Sequence, residues 1–212
     1  MKEYRKIPSK NYRDVLLRVV PGHFVTPNTH VNYYMDMSGI LHRQSEAKAA
    51  AEALAGYFSA DKIIDTIICL DGTEVVAAYL ANELTKAGVL SKNAHKTMYI
   101  LTPEYDLSGQ MIFRRNLEPW ISGKNVLLLL ATTTTGETIA KAGQTINYYG
   151  GIVVGIGAIF SAVSAVEGHP VHALFRASDL PDYRSYRVGD CPMCRAKQRV
   201  DAICNGFGYS PL

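Results

Sequence analysis

The segment Asn125 to Thr138, NVLLLLATTTTGET, constrains the fold more than any other stretch of the chain. Val126 to Leu130 are five apolar residues with no polar interruption, the pattern of a strand buried on both faces. Four threonines and Gly136 follow, and a helix-period segment then runs from Glu137 to Tyr148. A strand that breaks into a hydroxyl-rich, glycine-containing turn and opens a helix is suited to holding a phosphate. The first-turn amides have no intrahelical acceptor, so they point at the anion, and the helix dipole reinforces them. Thr132, Thr133, Thr134, Thr135, Gly136, Glu137 and Thr138 are therefore the candidate phosphate loop. The same residues also admit a structural reading, in which the threonines turn the chain and Thr135 or Thr138 caps the helix.

Around this unit the pattern alternates. Asp65 to Leu70 reads as a strand, Asp71-Gly72-Thr73-Glu74 as a turn, and Val75 to Lys86 as a helix stopped by Gly88. Thr97 to Leu101, Gly151 to Phe160 and Pro170 to Phe175 are further strands. The long stretch Thr102 to Asn125 reads as a loop, and loops of that length are functional or mobile. Strands alternating with helices imply an α/β domain around a mainly parallel sheet, with sites at the carboxyl ends of the strands. The turns Asp71–Glu74 and Thr132–Glu137 then face the same side. Two anion-capable turns there suit a substrate with two phosphate-bearing ends; otherwise Asp71 and Glu74 simply cap and charge a helix. Upstream, Arg13 to Val20 reads as a short amphipathic element ended by Pro21-Gly22. FVTPNTHVNYYMDMSGI reads as a hairpin, and alanine-rich Ser45 to Phe58 as a helix.

Composition narrows the function classes. The 212 residues are 48% hydrophobic and 19% charged, with a formal charge of +3 and no dense basic run, which argues against a nucleic-acid partner. The uncharged segment Thr145 to Val166 contains four glycines and paired tyrosines, so a buried strand is expected rather than a membrane span. With no secretory signal, the expected location is cytoplasmic. Of Cys69, Cys191, Cys194 and Cys204, the CPMC pair Cys191/Cys194 can form half of a zinc site. No second cysteine pair completes it, so reduced structural thiols are expected in place of zinc.

The ordered set of motifs resembles the type I phosphoribosyltransferases, and among them the orotate phosphoribosyltransferases. VTPNTHVNYYMD resembles the family's hood, whose paired aromatics lie beside the base. CLDGTEVVAAYLANEL resembles the pyrophosphate loop with its helix, and GKNVLLLLATTTTGETI the strand and loop that bind phosphoribosyl pyrophosphate (PRPP). GGIVVGIGAIF, GHPVHALFRASDLPDY and DCPMC follow in the family's order. The resemblance covers nearly the whole chain. It implies a single domain over residues 1–212: a five-stranded, mainly parallel sheet flanked by helices, with a hood formed by about the first 45 residues and the C-terminal segment. It also implies a homodimer that transfers phosphoribosyl from PRPP to a nucleobase. The phosphate would go to Thr132–Thr138 and the pyrophosphate to Asp71, Gly72, Thr73 and Glu74. Asp71 and Glu74 are unusual for that loop; as carboxylates they either hold Mg²⁺, a hard cation, or form a solvated helix start. Tyr33 and Tyr34 either stack on the base or pack within the hood.

Four departures bear on activity. The two adjacent acids that hold the ribose hydroxyls in the family are Leu130 and Ala131 here. An alkyl group accepts no hydrogen bond, and hydroxyls buried without partners cost roughly 1–3 kcal/mol each. The segment matching the cationic mobile loop, TPEYDLSGQMIF, has no Lys, Arg or His, and Phe160-Ser161 stand where the family has Asp-Arg. Glu137 adds a negative charge to the phosphate loop. These changes imply either a modified transferase, with no catalytic residue assigned, or a non-catalytic protein that binds a nucleotide or sugar phosphate.

Overall fold

The computed structural model describes residues 4–58, 62–86, 92–94, 96–205 and 208–212. In chain order the elements are β1 (Arg5–Pro8), β2 (Leu16–Val25), β3 (Thr29–Asp36), α1 (Ser38–His42), α2 (Gln44–Ala55), β4 (Thr66–Cys69), α3 (Glu74–Thr85) and β5 (Tyr99–Leu101). They continue with β6 (Glu104–Tyr105), β7 (Met111–Ile112), β8 (Asn125–Thr133), α4 (Glu137–Tyr148), β9 (Ile152–Ser161), β10 (Ala165–Val166) and β11 (His169–Arg176). The chain closes with β12 (Ser185–Arg187), α5 (Pro192–Arg195), β13 (Ala202–Asn205) and β14 (Gly208–Pro211).

The central sheet has the order β10-β11-β9-β8-β4-β5. All its pairings are parallel except that of the two-residue edge strand β10 with β11. This is the α/β architecture expected from the strand–helix alternation. β8 lies in the middle and its apolar run is buried on both faces, as its sequence requires. The pleat sends Leu127, Leu129 and Ala131 toward the core shared with α2 and α3. Val126, Leu128 and Leu130 point to the opposite layer, with Ile139, Ala142 and Ile146 of α4. Each such leucine contributes on the order of 1.5–3 kcal/mol of burial. On β9, Gly155 and Gly157 leave room for Phe58, whose ring atoms would lie 3.1 and 3.4 Å from a Cβ at those positions.

The second sheet draws on both ends of the chain, in the order β12-β3-β2-β13-β14 with β1 also on β2. Its β2–β3 pair is the hairpin read from FVTPNTHVNYYMDMSGI, except that the last three residues, Ser38, Gly39 and Ile40, open α1 instead. The Arg13–Val20 reading needs correction: β2 does not stop at Pro21-Gly22 but continues to Val25, across a register shift between Pro21 and Phe24. A bulge accommodates the proline, which has no N–H for the ladder. The expected loop Thr102–Asn125 contains the small β6–β7 hairpin and a single 3₁₀ turn at Glu118–Trp120. Gly88, read as the stop of α3, lies outside the described residues. Thr145–Val166 forms the end of α4, β9 and β10, and among the described residues no helix is long and apolar enough to cross a membrane.

Candidate functional site

A cavity of about 280 Å³ opens at the carboxyl ends of β4 and β8 and is closed by the second sheet and α1. It gathers Thr132, Thr133, Thr134, Thr135 and Thr138 from the β8–α4 unit, Asp71 and Gly72 from the turn after β4, and Tyr33 and Tyr34 from β3. Gly136 and Glu137 are not part of the lining but set its shape. Gly136 has φ +82°, and an added Cβ would lie 2.6 Å from Val166 Cγ2, so this turn is built for glycine. The Glu137 amide donates to Thr135 Oγ1 at 3.3 Å, a bond within the turn, and Thr135 faces the cavity; the N-cap of α4 is Gly136, so neither Thr135 nor Thr138 caps the helix. Thr133 is tied into the sheet through its carbonyl, which accepts from the Ala162 amide at 2.9 Å.

The Asp71–Glu74 turn divides. Asp71 (φ +57°) and Gly72 (φ +77°) are both left-handed, and this sharp reversal brings them to the cavity. Burial raises the pKa of the Asp71 carboxyl, while the Thr132 and Ala131 backbone amides, near the end of the neighbouring strand β8, act against that rise. Thr73 turns inward: fully buried, its hydroxyl donates to the carbonyls of Leu70 (2.9 Å) and Leu129 (3.2 Å). Glu74 opens α3 and accepts a hydrogen bond from the Thr102 hydroxyl at 2.9 Å. Tyr34 sits between Phe24 and Tyr209, with ring centroids 5.9 and 4.7 Å away. Burial, followed by the nearby Asp36 charge, pushes its phenol far above the ordinary range and keeps it neutral. Tyr33 is largely buried in the core below.

Several lining residues carry no signal of their own in the sequence. Asn28 comes from the hairpin turn, Ser38 and His42 from α1, and Cys204 and Asn205 from the C-terminal β13. Among the described residues the lining contains no Lys or Arg, and Asp71 is its only acid. Of the two positions where the resemblance expects ribose-binding acids, only Ala131 faces the cavity; Leu130 points into the α4 layer.

A second cluster lies on the second sheet. His23, His30, Cys191 and Cys194 bring one ligand atom each to within 4.8 Å of one another. This corrects the expectation that the CPMC pair lacks partners: two histidines of the β2–β3 hairpin supply what a second cysteine pair would have. Cys69 and Cys204 do fit the structural-thiol reading. Both are free and buried, and burial raises their pKa values to about 12 and about 11.

The fold, an α/β sheet with a cavity at its strand ends, is similar to that of the type I phosphoribosyltransferases. In sequence the similarity runs to the orotate enzymes. The chain is 28% identical over 180 residues to the orotate phosphoribosyltransferase of Thermus thermophilus, covering 84% of this chain and 89% of that one. It also superposes on Mycobacterium tuberculosis H37Rv orotate phosphoribosyltransferase in complex with Fe(III) dicitrate, with TM-score 0.53, 18% identity and coverage of 78% and 93% of the two chains. The same enzyme in complex with 5-phospho-α-D-ribosyl 1-diphosphate gives TM-score 0.51 and 17% identity, with coverage of 69% and 82%. No protein-family profile matches the chain.

Proposed function

We propose that this protein binds a 5-phosphorylated ribose ligand, PRPP or the nucleotide made from it, and that its reaction is of the orotate phosphoribosyltransferase type. In that reaction phosphoribosyl passes from PRPP to a nucleobase and pyrophosphate leaves. The observation that carries the reading is the convergence of Thr132–Thr135 and Thr138 with Asp71 and the hood tyrosines on one cavity. The threonine hydroxyls and the amides at the start of α4 hold the 5-phosphate. Asp71 and Gly72, the part of the Asp71–Glu74 turn that reaches the cavity, receive the pyrophosphate, and Tyr33 or Tyr34 borders the base. A carboxylate in the cavity suits Mg²⁺, a hard cation that prefers oxygen donors, so Asp71 would hold the ion, with Glu74 adjoining; the ion would neutralise the departing pyrophosphate. The chain's own residues position the two ligands and exclude water. The second sheet serves as the hood of a single domain, and a cytoplasmic homodimer is the expected form.

A second reading, binding without turnover as a nucleotide or sugar-phosphate sensor, is favoured by the methyl group of Ala131 and by the absence of Lys and Arg from the described lining. Such a cavity grips one phosphate through neutral donors but, among the described residues, supplies no Lys or Arg for a leaving pyrophosphate.

Two measurements test and separate the readings. PRPP and nucleoside monophosphates should raise the melting temperature, and Thr133→Val with Thr135→Val should shrink that rise. An unchanged rise in the double variant would remove the threonine loop from the site. Orotate- and Mg²⁺-dependent pyrophosphate release would establish the transferase; a ligand-induced shift without release, for any common base, would establish the sensor.

A further inference from the structure

We propose that His23, His30, Cys191 and Cys194 form a tetrahedral zinc site that fastens the C-terminal segment to the β2–β3 hairpin. The spacing of the four groups carries the argument. Zinc bonds of about 2.3 Å to sulfur and about 2.0–2.1 Å to nitrogen, set tetrahedrally, place a sulfur and a nitrogen about 3.6 Å apart and two nitrogens about 3.3 Å apart. Here Cys191 Sγ and Cys194 Sγ each lie 3.6 Å from His23 Nε2. Cys194 Sγ lies 3.3 Å from His30 Nδ1, and the two imidazole nitrogens are 3.0 Å apart. Four of the six separations, between atoms from two distant parts of the chain, are thus close to those around one zinc ion, and all six lie within 4.8 Å.

Hydrogen bonding alone does not account for the cluster. His23 Nδ1 is 3.0 Å from the Gln198 carbonyl, which only accepts, so Nδ1 carries the proton and Nε2 presents its single lone pair. Two thiols and a second imidazole nitrogen crowd around that one lone pair. A cation among them satisfies every group at once. The Gln198 carbonyl is then the outer partner that fixes the tautomer and aims the ring, as carbonyls do for metal-bound histidines. Two nitrogens and two thiolates in a tetrahedron select zinc among the common divalent ions, and four protein ligands leave no open position, so the role is structural.

The fold shows what the ion would secure. His23 also binds the C-terminal segment through its backbone: its amide donates to Asp201 Oδ2 and its carbonyl accepts from the Asp201 amide, both at 2.8 Å. From there β13 runs parallel to β2 and pairs with β14, delivering Cys204, Asn205 and Gly208 to the cavity rim. The ion would join the two ends of the chain just behind that rim.

Metal analysis of the full-length protein tests the proposal, independently of whether PRPP binds. Protein purified without chelators should contain one zinc per chain. Cys191→Ser with Cys194→Ser should lose the metal and melt at lower temperature, whereas Cys204→Ser should retain the metal. Cobalt introduced after chelation should show the intense visible absorption of tetrahedral Co²⁺ and a near-ultraviolet thiolate charge-transfer band. Both wild-type readouts stand even if the double variant fails to fold. Substoichiometric zinc, a Cys191–Cys194 disulfide in the purified protein, a cobalt spectrum without thiolate charge transfer, or full zinc content in the double variant would each overturn it.

Discussion

Replacing Gly136 with alanine tests the turn that joins β8 to α4, because two separate penalties meet at one methyl group. With φ at +82°, an L-residue there adopts a left-handed backbone, which costs about 1–2 kcal/mol. The new Cβ would also lie 2.6 Å from Val166 Cγ2, well inside the contact distance of about 3.5–4.0 Å between carbons. Overpacking of this kind costs about 1–3 kcal/mol. Val166 is half-buried on the two-residue edge strand β10 and is able to shift, so the lower part of that range applies. The expected total is about 2–3 kcal/mol, and at about 2–4 °C per kcal/mol for domains of this size the melting temperature falls by roughly 4–12 °C. Scanning calorimetry or urea titration of Gly136→Ala, Val166→Ala and the double variant separates the two parts. In the cycle, Val166→Ala should recover the steric share and leave the backbone share of about 1–2 kcal/mol. A Gly136→Ala protein as stable as wild type, or a loss that Val166→Ala does not reduce, would refute this account of the turn.

The remaining predictions concern the cavity floor and the core. Asp71 has a raised pKa because of burial, and the sign follows from linkage. Below the ordinary carboxylate value of 3.8 both folded and unfolded chains hold the proton; as pH rises the unfolded chain ionises first, and stability falls until the folded-state pKa is passed. Asp71→Asn should therefore be more stable than wild type at neutral pH, and the gap should close as pH drops below the carboxylate range; denaturation midpoints across that range that stay parallel would contradict this. Phe58→Ala removes the ring that fills the space over Gly155 and Gly157. It should cost about 3–5 kcal/mol by urea titration, and a loss under about 1 kcal/mol would show that the neighbouring helices close the gap.

How much of the site was legible depended on how far each signal reached along the chain. The β8 apolar run, the threonine turn and α4 are contiguous, so burial, turn chemistry and helix periodicity were all readable within one window. The Asp71–Glu74 turn was legible as a turn but not in its detail. Two successive left-handed residues carry Asp71 and Gly72 to the cavity, while Thr73 is drawn inward by the Leu70 and Leu129 carbonyls. That choice depends on β8 being the neighbour of β4. His42 and Asn205 gave no local sign because their places are set by α1 and β13 closing over the strand ends.

The sequence by itself determined the strand–turn–helix unit, the alternation that makes a parallel sheet, and the alkyl groups at Leu130 and Ala131, where the resemblance expects carboxylates. Only the tertiary structure decided that Ala131 alone of that pair faces the cavity, because the pleat of β8 sends adjacent residues to opposite layers. It alone also joined the CPMC pair to His23 and His30, residues separated from it by 168 and 164 positions for the closest thiol contacts. Local patterns encode periodicity and turns; a ligand set assembled by pairing the two ends of a chain exists only once β2 and β13 lie side by side.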